Sequence, residues 1–368
     1  MSKTGPVVVG LIGAGNISDA YLSNLVKFPD VEVRFIADLD LSRAAEKAST
    51  YDIAKSGSVS DLLADDEIEL VINLTIPAAH VEVGVQALVA GKHVWSEKPY
   101  AIDRIGAEKL QATAEANNRK ISVAPDTFLG AGIQTGLQTI RSGAIGKPIS
   151  ALALFQVDGP ESWHPSAEFY YAKGGGPLLD MGPYYLTALV QIFGSAKKVT
   201  ATASKSHESR TYGAGPNKGS KFPVEVNTQI SALIEFESGA SAIMILSFDS
   251  NLNRGGILEI TGSEGVAILP DPNNFDGDTS LHLAGGEIKV IPAAGLTYGR
   301  GTGILDLAQS IRLNRKEQVP GSLAFHALDI MLSIEESAAA SESVAIKSSF
   351  VAPDVLPINW DPRVKTLS

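Results

Sequence analysis

The stretch Val7-Val8-Val9-Gly10-Leu11-Ile12-Gly13-Ala14-Gly15-Asn16-Ile17-Ser18 decides the fold of the first part of the chain. Its first six residues are almost wholly apolar and β-branched, which is typical of a strand buried on both faces of a parallel sheet. The two glycines after the strand permit a tight turn and a close approach of the backbone to a pyrophosphate. Helical spacing follows the turn, so the stretch predicts the beginning of a dinucleotide-binding domain.

A second predicted strand, residues 31–37, ends at Asp38, 25 positions after Gly13. This is close to the spacing expected between a glycine turn and a carboxylate that accepts hydrogen bonds from the adenosine ribose. Asp38 would repel a 2′-phosphate, so NAD is favoured over NADP, although Arg43 one turn onward softens that preference. The predicted cofactor contacts in this part of the chain are Gly13, Gly15, Asn16, Ile17, Asp38 and Arg43.

Two further apolar strands end in polar segments. Residues 68–74 lead into Thr75-Ile76-Pro77, with His80 at the start of the next helix, and residues 92–96 lead into Glu97-Lys98-Pro99. Open α/β sheets bind their ligands at the carboxyl ends of their strands. A capping or packing role suits His80 equally well, and a charged pair at a strand end is also typical of a solvated turn. The predicted cofactor contacts here are Thr75, Ile76, Pro77, His80, Glu97 and Lys98.

The composition excludes several classes of function. The 368 residues suffice for roughly two domains. Acidic residues outnumber basic ones 41 to 30, and this excess disfavours binding to nucleic acid or to an anionic membrane. There are no cysteines, so disulfides, thiolate metal sites and a cysteine nucleophile are excluded, and the histidines lack metal-ligand spacing, so no metal is predicted. No apolar window is long enough to span a membrane, which predicts a soluble, cytoplasmic protein.

Taken in order, these motifs resemble the Gfo/Idh/MocA oxidoreductase family, which includes glucose–fructose oxidoreductase and inositol dehydrogenase. Residues 142–148 look like the family's segment leading into its second domain. Residues 174–184 are similar to its glycine-rich substrate-site helix, and residues 262–265 resemble its late strand–turn–strand element. The family resemblance therefore extends over nearly the whole chain.

This resemblance implies an α/β fold with two domains. Residues 1–125 would form an NAD(P)-binding Rossmann domain. Residues 126–368 would form an α+β domain for substrate binding and oligomerisation, with a large, mostly antiparallel open sheet. Local patterns agree, because alternating or apolar runs predict strands at 149–155, 199–203, 228–236, 240–248, 257–260 and 287–291.

The resemblance also implies a set of catalytic residues. Asp180 and Tyr184 stand four positions apart and so share one face of a helix. Most of the family has a histidine where this chain has Tyr184, which defines a subgroup. A phenol, with a reference pKa of about 10, is a poor base unless a cation stabilises the phenolate. Lys98, which the family architecture places in the same cleft, would supply that cation, and Asp180 would orient Lys98 or a substrate hydroxyl. Alternatively, Tyr184 is a packed core aromatic and Lys98 alone, or His164, handles the proton.

Three more features bear on the substrate. Trp163 and His164 suit contact with a sugar or cyclitol ring, although ordinary loop packing explains them equally well. Asp126 falls where many relatives carry polar residues, and is predicted to bind a substrate hydroxyl. The polar stretch 207–224 is rich in Gly, Lys and Pro, and is predicted to be a long loop that covers the active site or reaches a partner subunit.

The leading hypothesis is an NAD-dependent oxidoreductase that transfers a hydride between nicotinamide and a secondary alcohol or ketone of a sugar, polyol or cyclitol. One alternative is a sugar lyase or glycosidase that retains NAD and oxidises its substrate transiently. Another is a non-catalytic NAD-binding sensor, against which the presence of both Lys98 and Asp180 argues. The resemblance further implies a homodimer or homotetramer that associates through the outer face of the second-domain sheet.

Overall fold

A computed structural model describes residues 4–368, which divide into two compact units. The first unit contains residues 4–129, 296–325 and 357–368, and the second contains residues 130–295 and 326–356. The sequence predicts that all of residues 126–368 form a second domain. The structure differs, because two later segments of the chain pack with the amino-terminal part.

The elements are numbered in chain order. The strands are β1 (Val7–Ile12), β2 (Val31–Ala37), β3 (Lys55–Gly57), β4 (Leu70–Asn73), β5 (His93–Ser96), β6 (Ile121–Val123), β7 (Pro148–Gln156), β8 (Ala196–Ser204), β9 (Ser209–Thr211), β10 (Lys221–Pro223), β11 (Gln229–Phe236), β12 (Ser241–Ser247), β13 (Arg254–Gly262), β14 (Gly265–Leu269), β15 (Thr279–Leu283), β16 (Ile288–Ile291) and β17 (Val344–Ala345). The helices are α1 (Ile17–Leu25), α2 (Leu41–Thr50), α3 (Val59–Ala64), α4 (His80–Val89), α5 (Arg104–Ala116), α6 (Ala131–Arg141), α7 (Gly176–Phe193), α8 (Thr302–Leu313) and α9 (Gly321–Ala340).

The sheet of the first unit is parallel, with the order β3-β2-β1-β4-β5-β6 among the described residues. From β1 the chain continues to β2 and β3 on one side of that strand, and it then crosses to β4 on the opposite side. Ligands of such sheets bind at this switch point, outside the carboxyl ends of the strands. The strand ends at Ile12, Asn73 and Ser96 therefore place the glycine turn, the Thr75 turn and the Lys98 turn along one edge. The predicted Rossmann fold is confirmed.

A partly buried ion pair and the buried carboxylate of Asp30 fix the returning segments of the first unit. Arg312 on α8 bonds both oxygens of Glu69, with Nη2 2.5 Å from Oε1 and Nη1 2.8 Å from Oε2. The Arg312 guanidinium also donates to the carbonyl of Pro6 at 3.0 Å. Asp30, which is fully buried, accepts the backbone N–H groups of Thr366 and Leu367. These contacts join residues more than 240 positions apart, and this explains why local sequence patterns gave no sign of them.

The second unit is built on a larger sheet. Its order among the described residues is β16-β15-β14-β13-β7-β12-β11-β8-β17, and every pairing is antiparallel except that of β7 with β12. This confirms the predicted mostly antiparallel sheet. Helix α7 packs on β7, β11 and β12, and α6 packs on β14 and β15. All six predicted strands are present, and the strand–turn–strand element at residues 262–265 joins β13 to β14, whereas β15 and β17 were missed.

Residues 207–224 form a hairpin, although the sequence predicted a long loop. Strands β9 and β10 pair antiparallel, with Phe222 opposite Arg210. Phe222, Tyr212 and Val224 are buried in one cluster with Ala167, Tyr171 and Phe248. Apolar residues spaced through a polar stretch thus supply a small core of their own.

Nowhere in residues 4–368 does a helix have the length and apolar character needed to cross a membrane.

Candidate cofactor and substrate sites

The glycine turn after β1 requires glycine at its first position. Gly13 has φ +102°, and a Cβ there would lie 2.7 Å from the carbonyl oxygen of Leu74. Ser18, which replaces the third glycine of the usual pattern, is buried, and its hydroxyl donates to the carbonyl of Gly15 at 2.6 Å. Helix α1 begins at Ile17, so its first N–H groups lie beside the turn, where an anion binds favourably. The turn therefore fits a pyrophosphate.

Asp38 lies at the carboxyl end of β2 and faces the same turn. Its Oδ2 accepts the N–H of Ala14 at 2.7 Å and its Oδ1 accepts the N–H of Asp40 at 2.9 Å. The Arg43 guanidinium is 3.8 Å from Oδ1. An ionised carboxylate has about four acceptor positions, so these bonds leave capacity for two ribose hydroxyls. A pocket of about 390 Å³ adjoins this point, and its lining residues are Ala14, Gly15, Asn16, Arg43, Glu46, Lys47 and Thr50.

Hydrogen bonds within the chain determine the turn after β4. Asn73 is fully buried, and its Oδ1 accepts the hydroxyl of Thr75 at 2.7 Å while its Nδ2 donates to the carbonyl of His80 at 3.1 Å. The His80 ring is 1 % exposed, with Nδ1 2.9 Å from the Pro99 carbonyl oxygen and Nε2 2.9 Å from the Thr75 carbonyl oxygen. Because both ring nitrogens face backbone oxygens, His80 has a structural role, and its contact with the cofactor stays a prediction.

The turn after β5 carries Lys98, which is half-buried and precedes a cis peptide bond to Pro99. Glu97 is only 9 % exposed. Its Oε1 accepts the hydroxyl of Tyr21 at 2.6 Å, and its Oε2 accepts the N–H of Lys98 at 3.0 Å. Both carboxylate oxygens thus bond groups of the protein, which gives Glu97 an internal role, and its contact with the cofactor stays a prediction. Sequence reasoning missed the bond from Tyr21 to Glu97, because Tyr21 falls on the buried apolar face of α1.

Asp126 has a structural role in the first unit, and its contact with a substrate hydroxyl stays a prediction. The residue is 0 % exposed, and its Oδ2 accepts the N–H groups of Gly301 and Gly303 at 2.9 and 3.0 Å. These are backbone donors at the beginning of α8, so Asp126 caps that helix. Burial raises the pKa of the Asp126 carboxyl, and the Arg300 charge opposes this effect. No local sequence pattern could show this role, because α8 follows Asp126 by more than 170 positions and packs in the first unit.

In the second unit, Asp180 and Tyr184 lie one turn apart on α7, as predicted from their spacing. Tyr184 is 4 % exposed and Asp180 is half-buried. The neighbouring Tyr185 is fully buried, donating to the carbonyl of Leu154 and accepting the N–H of Gly256, both at 2.9 Å. Tyr185 is thus a structural residue, while the catalytic roles of Asp180 and Tyr184 stay predictions.

An exposed aromatic group surrounds His164. The Trp163 side chain is 64 % exposed and its ring meets the His164 ring edge-to-face, with centroids 5.4 Å apart. The rings of Phe169 and Tyr170 each lie 5.3 Å from that of His164. The Ser166 N–H donates to His164 Nδ1 at 3.1 Å, so the neutral ring carries its proton on Nε2. The ring then offers a hydrogen-bond donor, and this disfavours His164 as the proton acceptor.

A charged network attaches this aromatic group to the β9–β10 hairpin. The Tyr171 hydroxyl donates to Glu161, and Nη1 of Arg210 lies 2.9 Å from the other Glu161 oxygen. The same guanidinium bonds Asp249 and donates to the carbonyl of Phe248 at 3.1 Å. Burial, together with the Glu161 carboxylate, raises the pKa of Tyr171, so its hydroxyl stays a donor. The hairpin therefore supports the segment that displays Trp163.

Two family profiles match the chain. One, described as an oxidoreductase family with an NAD-binding Rossmann fold, matches residues 7–124, and the other, the GFO/IDH/MocA C-terminal domain, matches residues 133–268. Together they cover more than half of the sequence. The chain belongs to the GFO/IDH/MocA family.

Several named proteins are similar to this chain over most of their length. Trans-1,2-dihydrobenzene-1,2-diol dehydrogenase of Sus scrofa is 28 % identical over 271 residues, which cover 72 % of this chain and 74 % of the relative. Levoglucosan dehydrogenase, solved with NADH and L-sorbose, superposes with a TM-score of 0.81 at 22 % identity, covering 93 % of this chain and 99 % of the other. Aldose-aldose oxidoreductase of Caulobacter crescentus, solved with glycerol, gives a TM-score of 0.78 at 20 % identity, with coverages of 92 % and 99 %.

Membership in the GFO/IDH/MocA family confirms the predicted class and cofactor, because its first profile describes NAD-binding oxidoreductases. The chain is an NAD-binding dehydrogenase-type oxidoreductase, and the glycine turn with Asp38 suits that cofactor. Across the part of the chain that the structure describes, histidine, aspartate and glutamate form no group of three that could hold a metal ion.

Proposed function

We propose that the protein oxidises a secondary alcohol of a ring-shaped sugar, polyol or cyclitol, or reduces the corresponding ketone, with NAD as the hydride carrier. The observation that carries this substrate class is the aromatic group of Trp163, His164, Phe169 and Tyr170, in which the Trp163 and Phe169 side chains are exposed. Aromatic faces bind the C–H face of a hydroxylated ring, and a histidine N–H at their edge suits a hydroxyl. One relative is named as a dehydrogenase of a cyclic diol and one solved structure as a dehydrogenase of levoglucosan, and these names support the choice.

Bound nicotinamide supplies the carbon that accepts or donates the hydride. The protein must then remove the hydroxyl proton during oxidation and return it during reduction. We propose that the Lys98 amine and the Tyr184 phenol share this task, and that Asp180 orients Lys98 or a substrate hydroxyl. Tyr184 would then replace the histidine of most family members, and this chain would belong to a tyrosine subgroup.

A substrate panel tests the proposal directly. Purified protein is mixed with NAD or NADP and with myo-inositol, glucose, trans-cyclohexane-1,2-diol or sorbitol, and the reduced cofactor is followed by its absorbance. We expect turnover with NAD on at least one cyclic compound and weaker turnover on the acyclic sorbitol. Retention of NAD with chemical change of the sugar but no net reduction would favour the lyase or glycosidase alternative. Binding of NAD with no turnover on any compound would favour the sensor.

Asp38 is expected to set the preference for NAD. We predict that Asp38→Asn raises the KM for NAD and lowers the KM for NADP, each by about tenfold, because the amide no longer repels a 2′-phosphate beside Arg43. The Asn side chain keeps one acceptor oxygen for the backbone. Steady-state kinetics with both cofactors measure the effect, and Asp66→Asn, an exposed carboxylate of the same unit, is the control. An unchanged ratio of the two KM values would contradict the role of Asp38.

We also propose a homodimer or homotetramer that forms through the open face of the second-unit sheet. Leu233 and Ile243 pair across β11 and β12, and they are 41 % and 51 % exposed. Ile288 and Val290 on β16 are 60 % and 59 % exposed. Such apolar side chains on one sheet face favour burial against another layer. We expect light scattering to give a multiple of the 38.6 kDa chain mass and Ile243→Asp to lower it, whereas a wild-type monomer would contradict the proposal.

A further inference from the structure

The backbone on the amino-terminal side of Lys98 is fixed by a buried relay from α1. The Tyr21 hydroxyl donates to Glu97 Oε1 at 2.6 Å, and the Lys98 N–H donates to Glu97 Oε2 at 3.0 Å. Tyr21 is 0 % exposed and Glu97 is 9 % exposed. The helix that carries Tyr21 begins at the glycine turn, so a single carboxylate links the pyrophosphate-binding helix to the Lys98 backbone.

The backbone on the carboxyl-terminal side of Lys98 is fixed by His80. The ring of His80 lies between the carbonyl oxygens of Pro99 and Thr75, at 2.9 Å from each. Asn73 bonds both ends of the same segment, since it accepts from Thr75 and donates to the His80 carbonyl. The His80 imidazole therefore lies between two turns, the Thr75 turn, which is predicted to contact the cofactor, and the turn that carries Lys98.

We propose that Tyr21 and His80 are positioning residues that clamp the Lys98 turn from its two sides, so that the Lys98 amine is held in place for proton transfer. This inference rests on the proposed catalytic role of Lys98. A group that transfers a proton must stay within hydrogen-bond reach of the reacting oxygen, and small displacements lower the rate steeply. Two bonds supply that restraint: Glu97, held by Tyr21 of α1, accepts the Lys98 N–H, and His80 of α4 meets the Pro99 carbonyl.

The chemistry of the two clamping groups suits a permanent restraint. Burial, together with the charges of Glu97 and Asp126, raises the pKa of Tyr21 well above its usual range, and Arg300 opposes this. The phenol therefore stays protonated and remains a donor. Burial lowers the pKa of His80, with Glu97 opposing and Lys98 reinforcing the effect. A neutral imidazole has one N–H, and the clamp requires the tautomer that carries it on Nδ1, which donates to the Pro99 carbonyl.

The test removes one hydroxyl from each of two tyrosines. We expect Tyr21→Phe to lower kcat by roughly tenfold, with the KM for NAD changed by less than about twofold, and to move the pH profile of kcat. Tyr298→Phe is the matched control, since its hydroxyl also donates to a carboxylate of the first unit, Asp361, at 2.7 Å. The control should keep wild-type kinetics. Glu97→Gln, which keeps the shape of the side chain, should resemble Tyr21→Phe.

A double-mutant cycle separates positioning from general stability. If Tyr21 acts through Lys98, Tyr21→Phe has little further effect on kcat in a Lys98→Met background. A full tenfold loss in that background, or an unchanged kcat and pH profile in Tyr21→Phe alone, would overturn the clamp while leaving Lys98 catalytic. Full activity of Lys98→Met would instead refute the proposed function of Lys98, and the clamp with it.

The histidine side of the clamp has its own rescue experiment. We expect His80→Ala to lower kcat more than it lowers NAD affinity, and His80→Gln to recover part of the loss, because the glutamine amide can still donate to a backbone carbonyl. Should His80→Ala fail to fold, Tyr21→Phe and Glu97→Gln still decide the question. Equal loss in His80→Ala and His80→Gln, with unchanged thermal stability, would overturn the donor role of the ring.

Discussion

Lys98→Met should lower kcat by about 10²–10⁴-fold, the usual range for loss of a proton-transfer group, while NAD still binds. The methionine keeps most of the aliphatic length of lysine but has no ammonium, and the Lys98 N–H can still donate to Glu97. Cofactor binding, measured by titration with NADH fluorescence, should fall far less than kcat, because only the single predicted contact of the Lys98 ammonium with the cofactor is lost. Lys109→Met, an exposed lysine of the same unit, is the control for loss of charge. Wild-type kcat in Lys98→Met would remove Lys98 from the mechanism.

The same kinetics decide the role of the tyrosine. If the phenol shares the proton with Lys98, Tyr184→Phe should also lower kcat, because only the hydroxyl is removed from a 4 % exposed ring. Full activity of Tyr184→Phe together with inactive Lys98→Met would identify Tyr184 as a packing residue. In that case His164→Gln becomes the next variant, although the bond from Ser166 to its Nδ1 argues against a role as base.

The sequence was most informative where a short segment alone determines its structure. Gly13 needs a positive φ, and Asp38 ends a strand at the expected distance, so both could be placed without any knowledge of distant contacts. The same holds for Asp180 and Tyr184, since helical spacing fixes their common face. The mostly antiparallel sheet was predicted from alternation within single strands and from the family resemblance.

The sequence was least informative where residues far apart in the chain meet. The bond from Arg312 to Glu69 and the hairpin network around Arg210 depend on pairings that no local period reveals. Asp126, His80 and Glu97 illustrate the consequence for the site. Each is a polar residue after a strand, and each was predicted to bind a ligand. Because buried polar groups must find partners, these side chains bond groups of the protein itself, and no local pattern revealed those bonds.

Arg210 was missed for that reason, and we expect its replacement to have a large effect on stability. Its side chain is 13 % exposed and lies between the carboxylates of Glu161 and Asp249, which are 11 % and 13 % exposed. Arg210→Met would leave two partly buried negative charges without their cation. Breaking a buried ion pair on one side costs about 3–5 kcal/mol, so the free energy of unfolding should fall by an amount within or somewhat below that range.

A second consequence for Arg210→Met concerns substrate binding, because Glu161 also holds the hydroxyl of Tyr171 and, through its carbonyl, the N–H of Gly213 at 2.8 Å. Loosening Glu161 should disorder the segment that displays Trp163. We expect the KM for a cyclic substrate to rise by about tenfold and kcat to change less, as in Trp163→Ala, which removes one large stacking face.

Chemical denaturation and steady-state kinetics on the same preparations measure both effects. Lys198→Met is the matched control, since it breaks an exposed pair with Glu235 in which both side chains are 40 % exposed, and such pairs contribute at most about 1 kcal/mol. If Arg210→Met were as stable as Lys198→Met, the network would not support the hairpin. If stability fell while KM stayed constant in both Arg210→Met and Trp163→Ala, the aromatic group would not bind the substrate, and the proposed preference for ring-shaped compounds would lose its structural basis.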